Sequence, residues 1–323
     1  MSLKNLLAAF CLAAGTLCAG AFTIVIDPGH GGKDYGCVGK ITNEKTIVLD
    51  VATRLGKLLA EEHPEMKQVF TRSDDRFVSL NDRARIANKA NADIFVSIHV
   101  NSVDKKTRGR EAIHGASVYT LGLHRSDDNL EVAMRENSVI ELEQDYSETY
   151  QGFDPNSSES YIIFELIQNS HLKQSIELAD GIQRQLTTTG SRADKGVRQS
   201  GFLVLRATSM PAVLVELDFI CNPAAEKFLA SESGRQAMAR SLATAIGGYY
   251  GKRLADAEHL ASQSALKAEK NMPAESAGYV IMVPDGTADV KSPVFQSLKE
   301  AKKFLHQAKQ TNPQAFIKKL GDD

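Results

Sequence analysis

Thr23-Ile-Val-Ile-Asp27 followed by Pro28-Gly29-His30-Gly31-Gly32 decides the reading of this chain: a short β-branched run ends in a loop of unusual backbone freedom. A strand here delivers a histidine into a turn. Beyond the turn, from Glu44, the apolar spacing changes. Ile47, Val48, Val51, Leu55, Leu58 and Leu59 recur at three and four, the period of one helix face, and His63-Pro64 stops the run near Glu62. Gln68 to Thr71 then reads as a strand and Leu80 to Lys89 as a helix with Asp82, Arg83 and Arg85 on its polar side. Ile94 to His99 is another strand. The order is βαβαβ.

Strands alternating with helices of this length predict an α/β fold, a mainly parallel twisted sheet with helices on both faces. Val118 to Leu121 continues the sheet. From about 124 to 160 the chain turns polar and acidic while Val132, Val139, Ile140 and Leu142 keep partial helical spacing, which predicts an inserted helix and loop. Tyr161 to Leu186 reads as helix, Phe202 to Leu205 and Ala212 to Glu216 as short strands flanking Met210-Pro211, and Glu232 to Tyr250 as a closing helix. Residues 252–276, without aromatics and rich in Ala, Ser, Lys and Glu, read as an exposed helix or linker at a domain boundary. Residues 277–323 read as a small C-terminal α+β unit in β-α-β order, from Tyr279–Val283, Leu298–Lys309 and Ala315–Lys319. The body is then 22–251.

The chain of 323 residues holds 38 Lys+Arg against 40 Asp+Glu, a formal charge of -2, so no nucleic-acid partner held by bulk charge is expected. Leu6 to Cys18 is apolar but shorter than the roughly 20 residues of a membrane span. With Lys4 before it and Ala19-Gly20-Ala21 after it, it predicts a signal peptide over 1–21 and an exported protein. No evident surface-anchoring motif follows, which favours the periplasm, with no membrane span after cleavage. Cys18 lacks the small residues before it that lipidation would want. Loss of Cys11 and Cys18 leaves Cys37 and Cys221, bridged or separate, and excludes a disulfide framework.

Three strand ends carry the polar residues of interest. His30 lies beyond the first strand, His99 ends Asp93-Ile-Phe-Val-Ser-Ile-His99, and Glu216 ends Ala212-Val-Leu-Val-Glu216. In an open α/β sheet, ligands bind at the carboxyl ends of the strands, so these residues converge there. Glu44 opens the first helix at the same edge. Two imidazoles and one carboxylate with an open fourth position make a zinc set suited to hydrolysis, and Glu216 is the natural base. Each residue also has a plainer role. A lone histidine is usually a surface or hydrogen-bonded residue, Glu44 could favour the positive end of its helix, and Glu216 could pair with Arg206. Asn101 and Arg206 are placed as groups orienting substrate or Glu216.

The residues resemble a known family, the zinc-dependent N-acetylmuramoyl-L-alanine amidases (amidase type 3) of bacterial cell-wall turnover and daughter-cell separation. The resemblance is carried by Ile26-Asp-Pro-Gly-His-Gly-Gly32, Asn43-Glu44, Leu80 with Arg83, Ala87-Asn88, and Ser97-Ile-His-Val-Asn101. Gly115-Ala-Ser-Val-Tyr119, Phe202-Leu-Val-Leu-Arg206 and Pro211-Ala-Val-Leu-Val-Glu216 with Asn222-Pro223 continue it in the family's order, over about 23 to 250. It implies zinc on His30, Glu44 and His99, Glu216 as the catalytic carboxylate, and peptidoglycan as substrate, cut between N-acetylmuramic acid and L-alanine. Cys37, Asp218 and Cys221 depart from the commoner small residues of the family at their positions.

The acidic insertion is similar to a helix that, in some members, covers the active site until an activator protein removes it. Arg135-Glu136-Asn137 matches that stretch, which makes Glu136 an inhibitory, zinc-facing residue, against the alternative of a solvated helix face. The tail resembles half of a sporulation-related repeat that binds denuded glycan strands, though it is short for one. That implies a partial wall-binding domain, against a small tail domain or one packed on the body. The rival functions are a zinc peptidase or deacetylase cutting another amide, and a catalytically silent wall-binding or regulatory protein.

Overall fold

The computed structural model describes residues 21–124, 126–144, 146–165, 170–271, 278–284, 289–291, 294–295 and 297–319. The expected signal peptide, with Cys11 and Cys18, lies outside them except for Ala21.

The opening run forms strand β1 (Thr23–Pro28), every residue of it buried. Asn43 caps helix α1 (Glu44–Glu62), its side chain accepting from the Thr46 N–H at 3.1 Å, and all six apolar residues of the helical spacing are buried. Strand β2 (Lys67–Phe70) and helix α2 (Leu80–Lys89), capped by Ser79, lead to β3 (Ile94–Asn101). Strand β4 (Ala116–Leu121) precedes the acidic insertion, which folds as helix α3 (Asp127–Asn137), short turns over Ser138–Leu142 and Tyr146–Thr149, and a 3-10 segment over Ser158–Glu165. Helix α4 (Leu172–Thr188), strands β5 (Asp194–Ser200) and β6 (Ala212–Phe219), and helices α5 (Pro223–Ala230) and α6 (Glu232–Asn271) follow.

The six strands form one sheet in the order β2-β1-β3-β6-β4-β5. Neighbours in β2-β1-β3-β6 are parallel, as are β4 and β5, but β4 meets β6 antiparallel, so the sheet is mostly parallel with one reversed flank. Alternation along each strand shows why both faces are covered. Ile24, Ile26, Val96, Ile98, Val213 and Val215 enter one core with α1, α4 and α6. Val25, Phe95 and Leu214 enter another with Leu80 and Ala87 of α2 and Val132 and Ala133 of α3. Each such large side chain contributes about 1.5–3 kcal/mol by leaving water.

Several local readings change. Tyr161–Leu186, expected as one helix, is the end of a 3-10 segment over Ser158–Glu165 and then the α-helix Leu172–Thr188. The closing helix runs on through the segment expected as an exposed helix or linker as far as Asn271, because its Ala, Lys and Glu residues favour helix. Phe202–Leu205, expected as a strand, is a helical turn over Leu203–Arg206, because a short buried apolar run has no period long enough to separate strand from helix. Strand β5, Asp-Lys-Gly-Val-Arg-Gln-Ser, was not expected: it is a half-exposed edge whose composition carries no apolar alternation. Arg83, expected on the polar side of α2, is buried, whereas Asp82 and Arg85 are outside as expected.

The chain divides into two compact units, Met1–Arg253 and Leu254–Asp323. In the second, β7 (Tyr279–Pro284) lies between β8 (Asp289–Lys291) and β9 (Phe316–Lys319), antiparallel to both, with helix α7 (Leu298–Thr311) capped by Ser297. Val280, Ile281, Met282, Ala301 and Ala315 are its buried apolar residues. Among the described residues no helix is long and apolar enough to cross a membrane.

Candidate metal centre and active site

Register places the chemistry at one sheet edge. His99 of β3 is the direct lateral partner of Glu216 of β6, and Ser117 of β4 flanks Glu216 on its other side. Beyond β1 the chain turns sharply, with His30 at φ +59, and swings its imidazole beside that of His99, ring centroids 4.8 Å apart. This approach needs Gly29: a Cβ there would stand 2.5 Å from the His99 ring. Gly36 is equally constrained, at φ +62 with Glu44 Oε2 2.6 Å from where a Cβ would be.

A buried ionic cluster braces the turn. The Asp27 carboxylate accepts from Thr71 Oγ1 at 2.5 Å, Ser97 Oγ at 2.6 Å and Arg83 Nη1 at 2.7 Å. Arg83 also donates to the carbonyls of Pro28 and His30, both at 2.7 Å, and Arg72 to those of Pro28 and Gly29 at 3.0 and 2.7 Å. Burial pushes the Asp27 carboxyl up, but Arg83 and the hydroxyl donors outweigh it and hold it below the ordinary carboxylate value. Burial, with Arg83 adjacent, lowers Arg72 to about 10. The sequence carried one hint of this cluster: an aspartate ending a fully apolar strand needs a partner.

Four side chains converge above it. Glu44 Oε1 is 3.0 Å from His30 Nε2 and 3.1 Å from His99 Nδ1; Glu136 Oε2 is 3.2 Å and 3.0 Å from the same two nitrogens. All four side chains are buried. Asp34, which sequence reasoning missed, lies 2.6 Å from His30 Nδ1 and turns Nε2 toward the group. Glu44 is fixed by the N–H groups of Val100, at 2.8 Å to Oε1, and Cys37, at 2.8 Å to Oε2.

These residues fit a divalent metal. Two nitrogens and two oxygens lie within 4.8 Å of one another, and His30 Nε2 and Glu136 Oε2 are buried without a hydrogen-bond partner. The nearest separations approach the roughly 3.3 Å that tetrahedral bonds of about 2.0 Å impose. Burial opposes charge on each member, yet the Glu44 charge lifts His30 well above its usual value and Glu136 lifts His99 to about 9. Burial likewise works to raise Glu44, but His30 chiefly brings it to about 2, and His99 chiefly brings Glu136 well down. A divalent cation would take over the role of those protons.

Glu216 differs from the other carboxylates. It is fully buried, both oxygens lack a hydrogen-bond partner among the described residues, and its nearest cation is Arg135, with Nη2 3.8 Å from Oε1. Burial first, then the charge of Glu136, pushes it up to about 8, against the pull of Arg135. Arg135 also donates to Glu136 Oε1 at 3.1 Å, the Ser102 carbonyl at 2.7 Å and Asn101 Oδ1 at 3.0 Å. Asn101 thus contacts Arg135, the cation nearest Glu216. Arg206 lies on the turn after Phe202 and forms no ion pair with Glu216 among the described residues, so the alternative of a Glu216–Arg206 pair is not met and Arg135 is the nearer cation. Cys37 and Cys221 are separate free thiols.

This arrangement, a buried His/Glu donor group beside an orphaned carboxylate, has the parts of a metal-assisted hydrolase. The family of N-acetylmuramoyl-L-alanine amidases matches residues 24–247. The chain belongs to that family. The N-acetylmuramoyl-L-alanine amidase AmiA of Escherichia coli (strain K12) is 32% identical to this amidase over 234 residues, 72% of this chain and 77% of that protein. Among solved structures, the catalytic domain of CwlV, an amidase from Bacillus (Paenibacillus) polymyxa var. colistinus, matches with a TM-score of 0.52 at 28% identity, covering 71% of this chain and 98% of that one. AmiC2 of Nostoc punctiforme matches with a TM-score of 0.51 at 29% identity, covering 72% and 98%. The hydrolysis of cell-wall peptidoglycan expected from the sequence is that of the family.

Proposed function

We propose that this amidase is a zinc enzyme in which His30 Nε2, His99 Nδ1 and Glu44 Oε1 hold the metal and Glu216 is the catalytic carboxylate. The observation that carries the reading is the pairing of His99 with Glu216 across β3 and β6, which sets an unpartnered carboxylate beside the donor group. Zinc held there would polarise the lactyl carbonyl and lower the pKa of the attacking water. Glu216 in its ionised form takes the proton from the attacking water and returns it to the departing alanine amine. Its burial between His99 and Ser117 keeps it from competing hydrogen bonds. Asp34 and Glu44's backbone donors keep the imidazole and carboxylate aimed without cost at the moment of reaction.

Glu136 would be a fourth donor to the metal, and Arg135 holds it beside the two histidines while pointing at Glu216. An activator protein that draws α3 away would free the metal and the base together. In the covered state Asn101 meets Glu216 through Arg135, a contact that leaves with α3, and Arg206 forms no ion pair with Glu216 among the described residues. With the signal peptide, this describes an exported, periplasmic amidase of wall turnover and daughter-cell separation. The small C-terminal unit is assigned to wall attachment.

Incubation of residues 22–323 with purified peptidoglycan, before and after chelation and zinc return, tests the reading. Mass spectrometry should find stem peptides with a free L-alanine amine, in larger yield from Glu136→Ala than from the unaltered protein. Release that persists after chelation removes the metal, and equal yields remove the gating role of Glu136. A different newly exposed amine would favour the rival peptidase or deacetylase.

A further inference from the structure

The loop before α1 is a tight hairpin that closes on Glu44. Cys37 accepts the Glu44 N–H on its carbonyl at 2.9 Å and donates its own N–H to Glu44 Oε2 at 2.8 Å, so one residue holds both the backbone and the carboxylate of Glu44. Val38 and Asn43 bridge antiparallel, and the Gly39 N–H donates to the Thr42 carbonyl at 2.9 Å. The N–H groups of Ile41 and Thr42, near the tip, find their acceptor outside the hairpin.

That acceptor is Glu226, in the first turn of α5. Its Oε1 takes the Ile41 N–H at 2.6 Å and the Thr42 N–H at 3.2 Å. The residue is only 2% exposed, and two backbone amides are what this oxygen has in exchange for water. Gly39 makes the approach possible: a Cβ there would collide with Glu226 Oε1 and stand 2.9 Å from Ile220 Cγ1. Helix α5 is tied in turn to the strand that carries Glu216. It follows directly on β6, the Ile220 N–H donates to the Asn101 carbonyl at 2.8 Å, and the Asn222 side chain caps the helix, accepting from the Ala224 and Ala225 N–H groups at 2.9 and 3.0 Å. A continuous path thus runs from β6 through α5 and Glu226 to the hairpin, and through Cys37 to Glu44.

We propose that Glu226 is a positioning residue for Glu44: it fixes the hairpin against α5 and so sets the Glu44 carboxylate relative to His30, His99 and Glu216. The inference rests on the reading of Glu44 as a metal ligand. A ligating carboxylate takes the orientation that its own hydrogen-bond donors impose, and the Cys37 donor is only as well placed as the hairpin that carries it. An acid in the first turn of a helix can instead serve the positive helix end, which any carboxylate at that position does. The two roles order the variants differently. Glu226→Gln keeps the reach and an oxygen that accepts from Ile41 and Thr42 but loses the charge, whereas Glu226→Asp keeps the charge and is one methylene short.

The test compares residues 22–323 with these variants in two readouts: zinc affinity by chelator competition, and amide exchange at Ile41 and Thr42 in the metal-free protein. Glu226→Asp and Gly39→Ala should weaken zinc about tenfold and speed exchange at both amides, while Glu226→Gln stays within about twofold of the unaltered protein. The reverse order, with Glu226→Asp retaining zinc and Glu226→Gln losing it, assigns Glu226 to the helix end and overturns the proposal. Equal affinities in all four proteins overturn it as well. Failure of the unaltered protein to bind zinc would overturn the metal reading, and this role with it.

Discussion

Two parts of this amidase bring donor atoms to one point, and they are held in different ways. His30, Glu44 and His99 come from the sheet edge and the start of α1, fixed by the Val100 and Cys37 N–H groups and by the Asp27–Arg83 cluster under the β1 turn. Glu136 comes from the insertion, which packs Val132, Ala133 and Ile140 into the second core and is otherwise tied by side-chain hydrogen bonds. Asn137 accepts from the Leu203 N–H and donates to the Gly201 carbonyl, Glu143 accepts from the Leu80 N–H, and Lys33 donates to the Leu142 carbonyl. None of these bonds is part of the sheet ladder. On the proposed reading the first three donors belong to the sheet and the fourth to a helix that an activator draws away, a permanent site and a removable cover built from the same residue types and distinguished by the backbone that carries each.

The largest effect should come from the permanent side. Glu216→Gln should cut peptide release about 10³–10⁴-fold while metal content, measured by atomic emission, stays near that of the unaltered protein. Lost metal as well would move Glu216 from proton transfer to coordination. Gly29→Ala should come next: its methyl would collide with the His99 ring, so zinc affinity, read by chelator competition, should fall about 10–100-fold.

Asp27→Asn isolates the bracing from the donors. It leaves Arg83 buried without its charge partner, at about 3–5 kcal/mol in urea unfolding. The pH dependence has a definite sign. Because the folded carboxyl lies below its reference of 3.8, the stabilisation is fully present above that value and is lost as pH falls through the folded pKa. Asp27→Asn should flatten that acid limb, and an unchanged limb would assign it to other carboxylates.

On the removable side, Glu136→Ala should change stability little and metal affinity less than Gly29→Ala does, while raising basal peptide release several-fold. A collapse in metal affinity would make Glu136 a permanent ligand and erase the contrast. The smallest effect belongs to Arg85→Ala: its ion pair with Asp82 is exposed, so stability should shift by no more than about 0.5 kcal/mol.

Much of the sheet was legible because its strands are continuous apolar runs and α1 and α2 carry clear helical spacing or caps. The reversed flank was not. Strand direction leaves no mark in the composition of Val118–Leu121, and β5 is too polar and too exposed to show a period. Buried Arg83 was misread because helical spacing reports which face an arginine occupies, and not whether a carboxylate waits inside.

The sequence by itself determined the strand ends that carry His30, His99 and Glu216, the helix start at Glu44 and the acidic segment around Glu136, since each is set by local pattern and turn chemistry. Only the tertiary structure decided that His99 faces Glu216, that Arg135 rather than Arg206 approaches it, and that Asp27 with Arg83 and Arg72 braces the turn. Those are contacts between residues far apart in the chain, selected by register and burial, and no local window contains both partners.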